Sequence, residues 1–396
     1  MGILFLLFIG TSCAKDSKKE ANEQFAEDTR FKVVGYITAG AFDLIDQIEL
    51  NRLTHLDLAF LNPDDEGNLV FSQGKDIKSV VAKAHAANVE VFISIAGGGS
   101  GDEPRDKWNM VLQPEKRSAF IDKLMDYVAD NDLDGIDVDI EWNILPTIGS
   151  NYTPFVLELR DHLHAKGKSI STALPGTALH EAVTQESLEA YDFINVMVYD
   201  ATGPWRPDKP GHHSTYEFAE AAVSFWLEEK KIPASRLVLG MPFYGYDFGT
   251  ERVSSKSYGQ IAENNTADAY RDEIDQLYYN GIPTIVKKTQ LALSKFNGVM
   301  FWQLGHDAFN NMSLLASVDQ VIQAKDCKGI TSTFFADSDG DGFGDISKPF
   351  QSCTSPEGYV TNNTDCDDSN ANINPNAEDL MDGIDNNCNS TIDDES

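Results

Sequence analysis

Between Asp134 and Glu141 the chain reads DGIDVDIE, with carboxylates at Asp134, Asp137, Asp139 and Glu141. On a β-strand side chains alternate, so Asp137, Asp139 and Glu141 share one face, successive members about 7 Å apart. Ile136, Val138 and Ile140 share the other. An apolar face of that kind packs on helices, which turns the acidic row inward. The competing reading, a hydrated edge strand, is disfavoured by those apolar neighbours. Three carboxyl groups in one confined space cannot all ionise cheaply, so at least one keeps its proton at neutral pH. A neutral carboxylic acid at the open end of such a row is suited to general acid catalysis.

An inward acidic row needs a closed set of strands around it. Short β-rich apolar runs recur at 33–40, 55–62, 90–98, 133–142, 169–175, 193–200, 236–245 and 297–304. Helical patterns fall between them. Pro114 to Asn131 groups Phe120, Ile121, Leu124, Tyr127 and Val128 on one face. Thr153-Pro154 reads as a cap followed by a first-turn proline, and Gly167 as the stop. Thr215 to Lys231 is another helix, with Phe218, Ala222, Phe225 and Trp226 grouped. Eight buried strands alternating with helices predict an α/β chain folded as a (β/α)₈ TIM barrel over residues 31–325. An open doubly wound sheet would carry a Gly-rich phosphate turn after its first strand, and VGYITAG is not one. In a barrel the chemistry belongs at the C-terminal strand ends.

The string Asp134-x-x-Asp137-x-Asp139-x-Glu141 resembles the D-x-x-D-x-D-x-E signature of glycoside hydrolase family 18. Ser94 to Gly98 is similar to that family's S-x-G-G element, with Ala96 replacing the first Gly. Met197-Val-Tyr199-Asp200 resembles M-x-Y-D, and Gly240 to Gly245 resembles G-[LM]-P-x-Y-G. Met300-Phe-Trp302 ends strand eight, as in the family. The resemblance implies a retaining, substrate-assisted hydrolase that needs no cofactor for catalysis. In it the N-acetyl oxygen attacks its own anomeric carbon. Glu141 protonates the leaving oxygen and then deprotonates water. Asp139 holds the acetamide N–H, Asp137 shares a proton with Asp139, and Tyr199 orients the acetamide carbonyl. Trp302 corresponds to the floor under the reacting sugar. Tyr36, Phe60, Trp205 and Tyr244 match pocket positions, and Met197, Asp200 and Met300 complete the substrate-binding set. Trp108 and Trp226 are expected to be packing residues. His212-His213 lacks further ligands for a metal, and His306 and Asp307 have no assigned role.

The chain departs from the family pattern at several positions. Gly98 stands where many chitinases have Trp, Tyr246 where Arg is common, Ile140 where Trp is common, and Trp142 where Tyr is frequent. The stretch from Tyr246 to strand eight is too short for the α+β insertion that walls the cleft of many members, which implies an open cleft suited to endo cleavage. The implied partner is a polysaccharide or oligosaccharide containing N-acetylglucosamine, with chitin preferred. The alternatives are an endo-β-N-acetylglucosaminidase acting on N-glycan chitobiose cores, and a non-catalytic chitin-binding barrel. The Met197–Asp200 element favours chitinase over the glycan enzymes, and the presence of Glu141 weighs against the binding protein.

The chain carries 31 basic and 63 acidic residues, a net charge of −32. That balance repels a phosphate backbone and excludes nucleic-acid binding. Residues 329–396 concentrate it, with 15 acids against the single base Lys348. Here Asp337, Asp339, Asp341 and Asp345 occupy positions 1, 3, 5 and 9 of a loop with Gly342 at position 6. Hard oxygen ligands at alternate positions suit Ca²⁺. Lys348 at position 12 and the missing helical flanks exclude an EF-hand. A second loop offers Asp385, Asn387, Asn389 and Asp393. The whole run resembles the Asp- and Cys-rich metal-binding repeat at the ends of bacterial surface proteins. Cys327, Cys353, Cys366 and Cys388 allow three pairings, of which Cys327–Cys353 with Cys366–Cys388 is preferred.

Ile3 to Ile9 is apolar but too short to span ~30 Å of hydrocarbon as a helix, and it suits a signal-peptide core. The following Gly10-Thr-Ser-Cys13 resembles a lipobox, which implies a signal peptide over 1–12, lipidation of Cys13 and a polar tether over 13–30. The expected location is extracytoplasmic, as a cell-surface or outer-membrane lipoprotein or otherwise secreted. Membrane contact would then run through the lipid alone, and a monomer is expected.

Overall fold

A computed structural model describes residues 28–98, 102–325, 332–352, 355 and 358–393. The expected signal peptide, the Cys13 lipidation site, the tether up to residue 27 and the Cys327–Cys353 bridge lie outside the described residues. Eight parallel strands form the barrel: β1 (Lys32–Thr38), β2 (His55–Pro63), β3 (Glu90–Ala96), β4 (Gly135–Asp139), β5 (Ser169–Pro175), β6 (Phe193–Met197), β7 (Leu237–Pro242) and β8 (Gly298–Trp302). Each pairs with the next, and β1 pairs with both β2 and β8, which closes the ring. Every one of the eight apolar runs supplies one strand.

Alternation along the strands sorts the side chains into two layers. Ile136, Val138 and Ile140 of the acidic segment join the outer layer under the helices. Val34, Tyr36, Ala59, Phe92, Ala173, Phe193, Val238 and Met300 fill the interior. Trp108 and Trp226 are fully buried in the outer layer, as their helical setting predicts. β4 ends at Asp139, so Glu141 stands just above the strand on the barrel's C-terminal rim.

Three local expectations change. The helix Tyr152–His164 starts before Thr153, after a short 3₁₀ turn. Thr153 therefore lies inside the first turn, and its hydroxyl meets that of Thr184 at 2.8 Å instead of capping. Pro154 still falls in the first turn, where its missing N–H costs nothing. The segment after β7 does hold a small α+β unit. It has four short antiparallel strands, Tyr244–Asp247, Ser254–Ser257, Glu273–Ile274 and Leu277–Tyr278, and the helix Tyr258–Asn264. Strands of two to four residues are what make it fit. The helix proposed over Thr215–Lys231 is capped by Thr215, whose hydroxyl accepts from Phe218 N–H at 3.0 Å, but it loosens into a π turn at Phe225–Glu229.

The acidic segment forms a three-stranded sheet, with Ser332–Ala336 between Pro349–Ser352 and Tyr359–Val360. The Cys366–Cys388 disulfide is present. Phe350 shares the lining of a cavity with Val286, Leu293 and Val321 of two barrel helices. The Lys348 ammonium sits 4.5 Å from the ring centre of Tyr270, on the insertion after β7.

Asp307 acquires a structural role. Its carboxylate accepts from the N–H groups of Ala308 and Leu314 at 2.8 Å, Leu315 at 3.0 Å and the Ser313 hydroxyl at 2.8 Å. It thus ties the loop after β8 to the start of the helix Leu314–Lys325. Asp307→Ala is expected to lower unfolding stability by about 1–2 kcal/mol, as loss of a helix cap does, and urea denaturation at pH 7 measures it.

Candidate active site

The site is built on β4. Asp137 is fully buried and accepts three hydroxyl bonds, from Tyr36 at 2.7 Å, Ser94 at 2.7 Å and Ser171 at 2.8 Å. These donors stand on β1, β3 and β5, and Asn195 of β6 donates to the Tyr36 oxygen at 3.2 Å. Burial raises the Asp137 pKa, and the donors pull it back down. Asp139, one step up the strand, has no such shell. Its Oδ1 is buried without a hydrogen-bond partner. Burial, followed by repulsion from Glu141, Asp137 and Asp57, holds its carboxyl well above the usual range. Both carboxyls are thus raised, and Asp139, which lacks donors, the further of the two. Glu141 is pushed up to about 7, by burial first and by the Asp200 charge second.

The loop after β3 makes room for that acid. A Cβ at Gly98 would lie 2.2 Å from Glu141 Oε1. Ala96, the residue replacing a family Gly, has φ +75°, a left-handed conformation that favours glycine. A Cβ on Gly97, also left-handed at φ +88°, would meet the Phe60 ring at 2.6 Å. Phe60 in turn stacks on Trp302 with ring centres 5.5 Å apart and planes 18° apart. Tyr36 leans on the same indole at 5.5 Å.

Across the mouth stands a second polar group. The Asp200 carboxylate accepts from Tyr244 at 2.5 Å and from Tyr246 at 3.0 Å. Buried His213 supports this arrangement from below: its Nδ1 accepts the Asp200 N–H at 3.3 Å, and its Nε2 faces the Tyr244 carbonyl at 3.3 Å. That bonding places a proton on Nε2. Tyr199 packs edge-on to Tyr244, and its hydroxyl lies 3.8 Å from the Met300 sulfur.

A cavity of about 180 Å³ is lined by Tyr36, Phe60, Asp139, Met197, Tyr199 and Trp302, together with Glu141, Asp200 and Tyr244. A second, of about 700 Å³, opens on the other side of Glu141 toward Trp142, Trp205 and Phe218. The structure thus gathers the expected residues Tyr36, Phe60, Asp137, Asp139, Glu141, Met197, Tyr199, Asp200, Tyr244, Met300 and Trp302. Trp205 is set apart on the outer wall, 55% exposed and edge-on to Tyr246. Asp57, Ser171, Asn195, His213 and Trp142 were not anticipated. The first three sit at inward positions of HLDLAF, SISTAL and FINVM, so a strand-by-strand reading of alternation would have found them.

In the acidic segment, Asp337, Asp339 and Asp368 form one group and Asp339, Asp341 and Asp365 another, the ligand atoms of each within 4.8 Å of one another. The Oδ2 atoms of Asp339, Asp341 and Asp365 are buried without hydrogen-bond partners. Burial and neighbouring charge push Asp339 and Asp365 up to about 6. Orphaned carboxylate oxygens turned on one another fit a hard cation. Asp345 stands apart, accepting from Ser347 N–H at 2.7 Å and facing Lys348 at 3.2 Å, while Asp365 and Asp368 take up the positions near the other three. In the second loop the side chains are turned to local backbone: Asp385 accepts from Ser390 N–H at 2.7 Å, Asn387 from Asn389 at 3.1 Å, Asn389 from Thr391 at 2.8 Å and Asp393 from Gly383 at 2.8 Å.

Residues 32–307 match the family described as "Glycosyl hydrolases family 18", and residues 365–394 match one described as "Putative metal-binding motif". Among solved structures, the GH18 chitinase ChiB from the chitin utilization locus of Flavobacterium johnsoniae is 42% identical, with a TM-score of 0.72 over 74% of this chain and 94% of that one. A chitinase from Bacteroides thetaiotaomicron is 29% identical, with a TM-score of 0.63 over 74% and 96%. Among curated sequences, a chitinase-like effector of Moniliophthora roreri is 29% identical over 55% of this chain and 59% of its own length. An endochitinase of Manduca sexta is 27% identical over 54% and 44%. The chain spans less than two thirds of the length of these two curated relatives.

Gly98→Ala is expected to displace the Glu141 carboxyl. A shift of about 1 Å at a reacting group can cost about 10²-fold, so kcat should fall by one to two powers of ten at unchanged melting temperature. Steady-state kinetics beside a thermal melt separates that from misfolding.

Proposed function

Because the chain belongs to glycosyl hydrolase family 18, we propose that it hydrolyses β-1,4-linked N-acetylglucosamine polymers, with retention, through the substrate's own acetamide. One observation carries this reading: Glu141, its pKa pushed up to about 7, lines both a sugar-sized cavity and a larger one, and beside it stand Asp139, held well above the usual range, and Asp137, met by three hydroxyls. The sugar bearing the scissile bond occupies the small cavity on Trp302, and the leaving chain occupies the larger one.

The acetamide oxygen forms a bond to the anomeric carbon as the glycosidic bond breaks. The bonding electrons leave with the glycosidic oxygen, which takes the Glu141 proton. The acetamide N–H is held by Asp139, whose own proton passes to Asp137. A carboxylate then faces the oxazolinium ion, and such preorganised charge is worth most in a water-poor site. The Tyr199 hydroxyl orients the acetamide carbonyl. Water next attacks the anomeric carbon, gives a proton to Glu141 and reopens the ring, and two inversions return the original configuration. Asp200, fixed by Tyr244, Tyr246 and His213, keeps a negative charge near Glu141 and so helps it hold its proton.

The acid must be protonated before each turnover. The rate is therefore present below the Glu141 pKa and lost as pH rises through about 7. Glu141→Gln should cut turnover by at least about 10²–10⁴-fold while leaving oligosaccharide binding in place. Product analysis of soluble chitin oligomers, run beside a high-mannose glycoprotein, checks the substrate. Release of glycans with chitin oligomers untouched would favour the N-glycan enzyme instead. Turnover by the Gln variant near the wild-type rate would defeat the mechanism.

We further propose that Ca²⁺ occupies the cluster of Asp337, Asp339, Asp341, Asp365 and Asp368, and that the protein works outside the cytoplasm, where a disulfide such as Cys366–Cys388 persists. The Asp339 and Asp365 pKa values lie above the ordinary 3.8. The cation-free segment is accordingly stabilised by protons and loses stability as pH rises from about 4 to 6. A bound cation reverses that penalty. At pH 7, chelation should make residues 332–393 the first to be digested in limited proteolysis, with hydrolysis by the remaining barrel retained. Identical digestion with and without chelator would remove the calcium assignment.

A further inference from the structure

Two hydrogen bonds separate a buried cation from the strand end that carries Tyr199 and Asp200. Lys288 stands on the helix Ile282–Lys295 and is fully buried. Its Nζ lies 2.8 Å from the Ser214 carbonyl, 2.7 Å from the Ser214 hydroxyl and 2.8 Å from Asn280 Oδ1. All three are acceptors. The Ser214 hydroxyl gives its own proton to the Val198 carbonyl. The Asn280 amide nitrogen donates to the Ser214 and Tyr279 carbonyls at 2.9 and 3.0 Å, which turns its oxygen to Lys288. Three acceptors require three N–H groups, so the bonding is that of an ammonium. Burial pushes the Lys288 pKa down to about 7, while Asp272 and Glu217 act the other way through their charge without a hydrogen bond to it. Asp272 is itself taken up by the Gly281 N–H and the Thr284 hydroxyl.

Residues 213–214 hold the turn after β6. The Ser214 hydroxyl, through its bond to the Val198 carbonyl, fixes the peptide plane that leads into Tyr199. The His213 carbonyl accepts the Ala201 N–H at 3.0 Å, and His213 Nδ1 accepts the Asp200 N–H at 3.3 Å. Asp200 has φ +64°, a left-handed conformation that a non-glycine residue keeps only where its surroundings hold it. These three bonds are that hold. Residues 213–214 belong to no helix or strand, so their own position depends on the groups they meet. At Ser214 those groups are Lys288 and Asn280.

We propose that Lys288 is a positioning residue for the hydrolysis: its ammonium pins Ser214, and through Ser214 and His213 it fixes the turn that presents Tyr199 to the acetamide and Asp200 to Glu141. The effect on turnover rests on the family 18 reading of Tyr199, Asp200 and Glu141; the pinning does not. A fully buried lysine costs free energy that packing alone does not recover, so a helix that only filled space here would carry leucine or methionine. Three donors on one atom reach both polar groups of Ser214 and the Asn280 oxygen at once, and charge-assisted bonds are stronger than neutral ones.

Lys288→Met keeps the apolar stem and removes the charge. At about pH 6, below the values of both Lys288 and Glu141, kcat should fall about ten-fold or more, since a small misplacement of reacting groups is costly. KM should change by less than about three-fold. Melting temperature should also drop, so a double-mutant cycle with Tyr199→Phe separates positioning from bulk stability. If Lys288 acts through the turn, the two losses in kcat combine to well under their product. A full product, or a Lys288→Met variant that loses only melting temperature, would overturn the proposal. Should Lys288→Met fail to fold, Ser214→Ala cuts the same link at the hydroxyl and must show the same fall in kcat at nearly steady KM. Nitrogen NMR needs no turnover. Wild type should show a slowly exchanging lysine ammonium signal that is missing in Lys288→Met, and the same substitution should shift the His213 ring nitrogens. If no sugar is cleaved, the hydrolase reading falls, and these signals still decide whether Lys288 holds the turn. An absent ammonium signal, or His213 nitrogens that stay in place in Lys288→Met, sinks the proposal even if chitin is cleaved.

Discussion

The whole arrangement turns on the cost of placing negative charge inside the barrel. Asp137 is fully buried and Asp139 nearly so, and burial is the largest influence on both and on Glu141. A buried carboxylate is tolerable only where donors replace water. Asp137 has three hydroxyls around it, from three different strands. Asp139 has an unpartnered oxygen. That asymmetry separates the two: donors offset the cost of burial at Asp137, and nothing offsets it at Asp139.

A TIM barrel meets this constraint because its inward residues come from all strands at once. An open sheet would leave the acids hydrated on one side, and their pKa values would return toward the ordinary range. The interior of this barrel is polar at the level of Asp137 and apolar around it, with Phe92, Phe193 and Val238 filling the interior. The helices contribute indirectly, by burying Ile136, Val138 and Ile140 and so fixing which way the alternating strand faces.

Much of this was legible from residue order. The period-2 pattern of DGIDVDIE specifies both faces of β4, and the eight apolar runs specify the ring. Chemistry at strand ends is visible because acids and aromatics break the apolar pattern there. The supporting groups were less legible, for physical reasons. Ser94 and Ser171 matter through distances to Asp137 that depend on strand stagger, which a single sequence does not state. His213 looked like half of a metal pair, but its role follows from the left-handed turn at Asp200 that brings the backbone N–H onto its ring. The insertion after β7 was missed because its strands are too short to show a period. In the acidic segment, local spacing pointed to Asp345, whereas Asp365 and Asp368 are brought near Asp339 by the Cys366–Cys388 loop and the small sheet.

The chain therefore carries two acidic clusters whose surroundings differ in kind. In the barrel, Asp137 is met by hydroxyl protons, and its neighbours hold protons of their own. This cluster can exchange protons without losing its shape, which is what acid–base chemistry requires. In the C-terminal segment, the Oδ2 atoms of Asp339, Asp341 and Asp365 meet no donor, although backbone N–H groups hold the loop that carries them. Protons could neutralise that cluster only below about pH 6, where its highest members titrate. Above that pH the repulsion must be met by a cation or relieved by opening the loop. The same residue type is thus held in two different ways, and what separates the two is whether the surrounding strands supply hydrogen-bond donors.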